Sequence, residues 1–423
     1  MASGPQTTIH KLSHKLLQRW VPKWYEAFWD HEQGGFYERM GHAFQPMKTG
    51  ERRLLTHCRQ FSVYPHAAVQ PEAGGFAPDL KAAYEHLLKA YYVAETGGWR
   101  FSVNDEGAPL DENYDLYAHA FVIFALSHYY KATRDEDATK KSLHTLDFID
   151  NNFRIDGIAG LSEALDKDLQ PLVKTRRHES HMHLLEACLF AYEVWDDAAY
   201  MRMADDLVGL FMDYFYDEEN CTLPEYYTAD LKPYAENGHI VCEPGHYCEW
   251  IWLLKKYGAL RDDPAQFDDL CADMLDWANA HGWDKEFGGI YDELTPDGEI
   301  VQDTKRLWPF SESLKANALM LDSGMNKEEI KARYAEMVGV FNGHYMEDRG
   351  FWTEWLSRDL KPATDYMPGT TPYHVYFGIL EARDVLKSRG KSRSLRAAPE
   401  IALYSWRQKL SAGVKKIRMG LKG

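Results

Sequence analysis

The sequence predicts an all-α fold: a toroid of twelve helices with short β-hairpins between repeats. Two observations predict it. The first is a short punctuation that recurs six times, at Gly34-Gly35-Phe36-Tyr37-Glu38, Gly97-Gly98-Trp99-Arg100-Phe101, Gly157-Ile158-Ala159-Gly160-Leu161, Cys221-Thr222-Leu223-Pro224-Glu225, Gly288-Gly289-Ile290-Tyr291-Asp292 and Gly350-Phe351-Trp352-Thr353-Glu354. Successive copies start 63, 60, 64, 67 and 62 residues apart. A period of about 60 exceeds the roughly 20–50 residues of the common solenoid repeats. It suits a unit of two helices plus a hairpin. The second observation is that the stretches between hairpins alternate in character, one amphipathic and the next apolar nearly all round. A helix that is apolar on every side must be buried. An outer ring of amphipathic helices around an inner ring of buried ones follows.

The twelve helical stretches run, in order, over 10–29, 54–69, 78–95, 113–130, 136–151, 178–195, 198–215, 245–257, 264–281, 309–321, 327–344 and 372–387. The first is rich in Trp and Leu three and four residues apart. Pro78, Pro264, Pro309 and Pro372 suit first helical turns, where the missing N–H has no partner to lose. The stretch Asp262–His281 is charged along one face. By contrast Glu249-Trp250-Ile251-Trp252-Leu253-Leu254 is apolar almost throughout. Polar turns such as Asp168-Leu169-Gln170-Pro171 and Asp230-Leu231-Lys232-Pro233 follow several of the hairpins.

A chain of 423 residues ordinarily suggests two or three domains. Repeated units share one continuous core, so a single domain over 10–388 is expected, after a loose N-terminus over 1–9. The net charge of −17 is uneven: from Lys387 onward there are eleven Lys/Arg and one acid. Residues 389–423 therefore read as a basic tail. Ile401, Leu403, Tyr404, Trp406 and Leu410 give it an amphipathic helical stripe that can dock on the acidic body or on a neighbouring subunit. The acidic body argues against nucleic acid. No apolar stretch approaches the about 20 residues of a membrane span. No secretory signal is visible at the start, and the six cysteines form no CxxC pair. The expectation is a cytoplasmic protein with reduced thiols, acting as a monomer or homodimer.

Unusual polar residues cluster on the even-numbered helices, mostly near their starts. In Glu243-Pro244-Gly245-His246-Tyr247-Cys248-Glu249-Trp250, His246 and Glu249 share a face at a spacing of three. Burying both is costly unless they pair or serve a site. In His178-Glu179-Ser180-His181-Met182-His183-Leu184-Leu185-Glu186, His183 and Glu186 repeat that spacing. His181 faces elsewhere and no HExxH is present, so no metal is expected. Trp308-Pro309-Phe310-Ser311-Glu312-Ser313-Leu314-Lys315 places Glu312 beside Lys315, either as a structural ion pair or as part of a site. His374 opens the last inner helix, Arg59 lies on the second, and Tyr117 and His119 lie on the fourth. A toroid brings these positions to one mouth of its cavity. Aromatic and polar side chains together suit a sugar, with apolar ring faces and a hydroxyl rim.

These motifs, namely His-Met-His-Leu-Leu-Glu-Ala (181–187), Pro-Gly-His-Tyr-Cys-Glu-Trp (244–250), Trp-Pro-Phe-Ser-Glu (308–312) and Tyr-His-Val-Tyr (373–376), resemble the N-acylglucosamine 2-epimerase superfamily over about residues 10–388. The resemblance implies an (α/α)6 barrel and a cofactor-free enzyme that moves a proton at the carbon next to a sugar's anomeric carbonyl. It implies that His246 and His374 are the acid/base histidines, with Glu249 beside the first. It further implies that Glu312, Arg59, Tyr117 and His183 belong to the site; Glu186 and Trp308 are expected to line it too. The chain departs from the family at Glu179, where an asparagine is frequent, and has only Lys232 where some members carry an arginine.

A histidine titrating near neutrality can take the C2 proton of an opened sugar. The resulting enediolate needs preorganised donors. Return of the proton to C1 gives a ketose; return to C2 from the other face gives an epimer. The leading expectation is aldose–ketose isomerisation of unphosphorylated mannose and fructose. A 2-epimerase acting on mannose/glucose, cellobiose or N-acylglucosamine is the alternative. A glycoside hydrolase using Glu249 and Glu312, or a non-catalytic sugar-binding protein, are remoter ones.

Overall fold

In the computed structural model the described residues are 5–172, 175–321 and 327–392. The chain divides into two compact units, Met1–Arg383 and Asp384–Gly423. The expected basic tail lies, from residue 393 on, outside the described residues.

The first unit is mostly helical. Helix α1 (Pro5–Lys15) passes through a π-helical turn (Leu16–Trp20) into α2 (Val21–Phe28). There follow α3 (Leu54–Ala68), α4 (Leu80–Tyr91), α5 (Leu116–Thr133), α6 (Glu136–Asn152), α7 (His178–Trp195) and α8 (Ala198–Leu210). Then come α9 (Pro244–Leu260), α10 (Asp268–His281), α11 (Leu307–Met320) and α12 (Lys327–Val340), and α13 (Thr371–Ser392) begins in this unit. Helices α3, α5, α7, α9 and α11 are buried on nearly every face, whereas α4, α6, α8 and α10 bury one side. The buried helices pack in chain order, α3 on α5 on α7 on α9 on α11, and each of α6, α8 and α10 lies against the buried helix before it.

The last repeat returns to the first. Arg39–Gly41 pairs antiparallel with Tyr366–Pro368, with Met40 opposite Met367. Gln60 Nε2 donates to the Gly369 carbonyl at 2.8 Å, and His66 Nδ1 lies 2.8 Å from the Tyr376 hydroxyl. Trp24 meets Trp352 edge to face at 5.2 Å, and its indole N–H donates to the Gly350 carbonyl at 2.7 Å. This arrangement is consistent with an α/α toroid.

The sixfold punctuation has a backbone cause. The first residue of every copy has positive φ: 76° at Gly34, 81° at Gly97, 75° at Gly157, 50° at Cys221, 80° at Gly288 and 87° at Gly350. An L-residue there costs roughly 1–2 kcal/mol, which is why five of the six are glycine. Gly350 has a second constraint, since a Cβ there would lie 2.7 Å from Trp20 Cδ1. Each turn closes a small hairpin, as in the bridges Trp29–Phe36, Tyr92–Trp99, Asp217–Thr222, Trp283–Ile290 and Met346–Trp352.

Several boundaries differ from the sequence reading. The N-terminus is helical from Pro5, not loose to residue 9, and Ile9 is fully buried. Helix α4 starts at Leu80 rather than Pro78, because the Asp79 carboxylate accepts from the Ala82 N–H at 2.9 Å and caps it. Pro264 lies in the turn before α10. The stretches 198–215 and 327–344 each finish in a π-helical turn, Phe211–Phe215 and Phe341–Tyr345. Among the described residues no helix is long and apolar enough to cross a membrane.

Candidate active site

The nine residues expected to act on or line the site lie in one connected cluster on the inner helices. Arg59 on α3 donates from Nη2 to the Tyr117 hydroxyl on α5. Tyr117 stacks on His183 of α7 at 4.6 Å. His183 Nδ1 lies 3.2 Å from Glu186 Oε2 and 3.6 Å from Glu249 Oε1 on α9. Tyr373 at the start of α13 donates its hydroxyl proton to Glu186. His374 Nδ1 lies 2.8 Å from Glu312 Oε1 on α11. Trp308 stands between His246 and His374, 4.7 Å from the His246 ring and 5.6 Å from that of His374.

The inner helices are started in a common way, which explains how His246 is placed. In five repeats a carboxylate from the hairpin region holds the start of the next inner helix. Glu38 accepts from Arg53 N–H at 2.7 Å and Thr56 Oγ1 at 2.8 Å. Glu163 accepts from Arg177 N–H at 3.0 Å and Ser180 Oγ at 2.5 Å. Asp292 accepts from Arg306 N–H at 2.9 Å, and Glu354 from Thr371 Oγ1 at 2.5 Å. In the fourth repeat Glu225 accepts from Glu243 N–H at 3.3 Å, and its second partner is His246 Nδ1 at 2.8 Å. These contacts satisfy helix-start donors that otherwise have no partner.

Sequence reasoning missed Glu225, although it is the closing residue of the fourth copy of the punctuation. Glu38, Asp292 and Glu354 close their copies in the same way, so a recurrent acid was the available signal. It also missed Arg306, which spans Glu243 at 2.7 Å and Asp292 at 2.8 Å with its guanidinium 5.3 Å from the Trp308 ring. Glu179 pairs with Arg177 at 2.8 Å. Two histidines that the sequence flagged serve structure. His119 Nε2 accepts from Trp99 N–H at 3.1 Å, and His181 Nε2 from Leu161 N–H at 3.0 Å. They are latches on successive hairpins.

The electrostatics separate the two site histidines. Burial alone disfavours the charge on His246, but Glu225 and then Glu243 outweigh it and push the imidazole up to about 9. Burial pushes His374 down to about 4; Glu312 opposes this and Arg59 adds to it. Burial works against ionised Glu312 too, but Lys315, 2.5 Å away, and His374 hold it at about 2. Glu249 has the opposite fate. Burial first, and then the Glu312 carboxylate, hold its carboxyl well above the usual range. Among the described residues neither of its oxygens has a hydrogen-bond partner, so it is a buried neutral acid with a proton to donate. Nδ1 of each site histidine is engaged by a carboxylate, which leaves Nε2 as the nitrogen free to meet a ligand.

Three groups of His and Glu bring ligand-type atoms within 4.8 Å of one another: His178/Glu225/His246, His183/Glu186/Glu249 and Glu249/Glu312/His374. The charges of the first and third are already compensated. The Lys315 ammonium neutralises Glu312, and Trp250 Nε1 donates to His178 Nδ1 at 3.2 Å, which fixes the proton on the nitrogen facing Glu225. A dication there would have to displace the protons that hold these groups together.

The family model for N-acylglucosamine 2-epimerase (GlcNAc 2-epimerase) matches residues 35–378. The chain belongs to the N-acylglucosamine 2-epimerase family. Among its relatives, a mannose-6-phosphate isomerase of Rhizobium meliloti (strain 1021) is 29% identical over 390 residues, 87% of this chain and 94% of that one. A cellobiose 2-epimerase of Bacteroides fragilis is 26% identical over 306 residues, 69% of this chain and 77% of that one. The solved cellobiose 2-epimerase of Spirochaeta thermophila DSM 6192 superposes with a TM-score of 0.80 at 21% identity, covering 91% of this chain and 98% of that one. This member of the N-acylglucosamine 2-epimerase family is accordingly an isomerase or epimerase of sugars.

Proposed function

We propose that this (α/α)6 barrel is a sugar isomerase that interconverts D-mannose-type aldose and ketose, with mannose and fructose as the unphosphorylated pair. The observation that carries the reading is the paired histidines. Each is pinned through Nδ1 by a carboxylate at 2.8 Å, the two flank one indole, and one is neutral where the other is charged. Environments that push two titratable groups apart assign base and acid. Neutral His374 takes the C2 proton. Charged His246 donates to O1 of the opened sugar and, once neutral, takes the proton that O2 gives up, while neutral Glu249 supplies a hydrogen bond without losing its proton. Arg59, whose guanidinium lies 4.7–5.2 Å from the Tyr117, Phe121 and Tyr373 rings, is a preorganised donor for the enediolate oxygen. Delivery of the proton from His374 to C1 completes isomerisation. Delivery to C2 by the other histidine is 2-epimerisation, which the presence of two histidines keeps as the second reading.

The charge pattern favours a neutral sugar over the phosphorylated substrate in the name of the Rhizobium relative. Arg53 pairs with Glu38, Arg177 with Glu179, Arg306 with Glu243 and Asp292, and Lys315 with Glu312 and Glu381. Among the described residues Arg59 has no carboxylate at ion-pair distance, but aromatic rings surround it. Proton NMR in D2O with mannose, glucose, cellobiose, N-acetylmannosamine and mannose 6-phosphate tests the whole reading. Deuterium entering mannose with appearance of fructose is expected. Turnover of mannose 6-phosphate alone, or C2 exchange that yields only an epimer, would replace it.

A further inference from the structure

Behind His246 lie two fully buried ionisable groups, Glu225 and His178, that no step above uses. An indole N–H can only donate. Since Trp250 Nε1 donates to His178 Nδ1 at 3.2 Å, the neutral ring carries its proton on Nε2. That proton points at Glu225 Oε1, 3.3 Å away. The Glu243 backbone N–H donates to the same oxygen at 3.3 Å, and His246 Nδ1 lies 2.8 Å from it. Trp250 itself is held by Phe211, stacked at 4.1 Å. The chain Trp250–His178–Glu225–His246 therefore has its proton positions fixed from the far end.

We propose that Glu225, locked by His178 and Trp250, is a positioning residue that fixes the orientation of the His246 ring, leaving Nε2 as its free nitrogen, and keeps that ring charged. The inference rests on reading His246 as an acid in sugar proton transfer. The other groups facing this pair do not supply the same charge. From α9, Glu243 is bonded to Arg306 at 2.7 Å, and Glu249 is neutral. From α7, Glu179 is bonded to Arg177 at 2.8 Å. Tyr227, Cys242 and Glu293 also lie in the field of Glu225; the first two are neutral, and Glu293 is an acid. Glu225 is thus the carboxylate that faces His246 most directly, and consistently its effect on that ring is the largest of those opposing burial.

The test is Glu225→Gln. Among the described residues Oε2 of Glu225 has no hydrogen-bond partner, so the amide nitrogen enters without breaking a bond, while Oε1 still accepts from both histidines. The alkaline limb of C2 exchange is expected to fall by about 1–3 pH units, the usual effect of an opposite charge at this range, with KM within threefold of wild type. An alkaline limb within half a unit of wild type overturns the proposal. If the variant does not fold, 15N spectra of histidine-labelled wild-type protein decide at pH 7. His246 protonated on both nitrogens and His178 protonated on Nε2 alone are expected; a His178 protonated on Nδ1 overturns the relay. The spectra stand even if no sugar exchanges its C2 proton, in which case it is the functional reading that fails.

Discussion

Lys315 is the cation on which the buried acids depend, so Lys315→Met should be among the most damaging single substitutions in the inner ring. Its ammonium, about 1% exposed, lies 2.5 Å from Glu312 and 3.2 Å from Glu381. It also lowers the field at Glu249 and Glu186. Removing one partner of a buried pair leaves an uncompensated charge and costs about 3–5 kcal/mol. At about 2.1 cal/mol/K per residue, 423 residues unfold with about 0.9 kcal/mol/K, so Tm should fall by about 3–6 °C. The loss has a pH signature. Glu312 is depressed from 4.5 to about 2, so its stabilisation is present above about 4.5 and is lost as pH falls towards 2. The gap between wild type and variant should be full at pH 7 and shrink below about pH 4.5. Adding Glu312→Gln removes the stranded carboxylate and should restore at least half of the lost Tm. Scanning calorimetry at pH 7 and pH 4 measures all three. A K315M protein as stable as wild type at pH 7, or a double variant no better than K315M, would refute the reasoning. Activity should fall roughly 10–100-fold, since a neutral Glu312 holds His374 by a weaker bond.

Replacing either His246 or His374 by Ala should lower kcat/KM by about 10²–10⁴ with circular dichroism unchanged; deuterium uptake at C2 at the wild-type rate in either variant contradicts the assignment. The rate should be flat between about pH 4 and about pH 9, falling below as His374 gains a proton and above as His246 loses one. A pH profile with one limb near 6.5 would deny that the two rings are pushed apart. His246 also adds stability that is full below about 6.5 and is lost as pH rises through about 9, a trend that thermal melts across this range report. Arg59→Met should cost about 10²–10³ in kcat with Tm little changed, measured by the same exchange assay. Gly350→Ala should lower stability by about 1–3 kcal/mol from left-handed strain and the Trp20 contact; an unchanged melting point refutes the conformational account of the punctuation.

What the sequence made legible was local. A left-handed φ at the first position of each hairpin demands glycine, so the repeat was written in residue types. Inner helices such as α5 are apolar all round because every face is packed, and that too is a composition signal. His183 and Glu186 are three residues apart on one helix, so their pairing needed no tertiary knowledge. What stayed hidden was set by chain closure. Glu225 precedes His246 by 21 positions and reaches it only because the hairpin folds back over the start of α9. Lys315 meets Glu381 from a different helix. His119 and His181 looked as promising as His183, yet their partners are backbone amides of the preceding hairpins. The π-helical turns left no recognisable pattern in the residue types.

The two site histidines show how a repeat acquires chemistry with few changes. In α3 and α7 the residue on the capping acid is a hydroxyl, Thr56 or Ser180. In α9 the third helical residue is His246, so the same capping acid now holds an imidazole. No lysine or arginine bonds to Glu225 among the described residues, and the ring is driven to carry the charge. In α13 the capping acid Glu354 is occupied by Thr371, and the histidine comes one position later, as the fourth helical residue. One position turns a side chain by about 100° around the axis, so His374 faces the neighbouring helix and meets Glu312 instead. That carboxylate is already neutralised by Lys315, so nothing forces a charge onto His374 and burial keeps it neutral. A step of one residue along the helix, together with the presence or absence of a lysine, is enough to make one histidine an acid and the other a base.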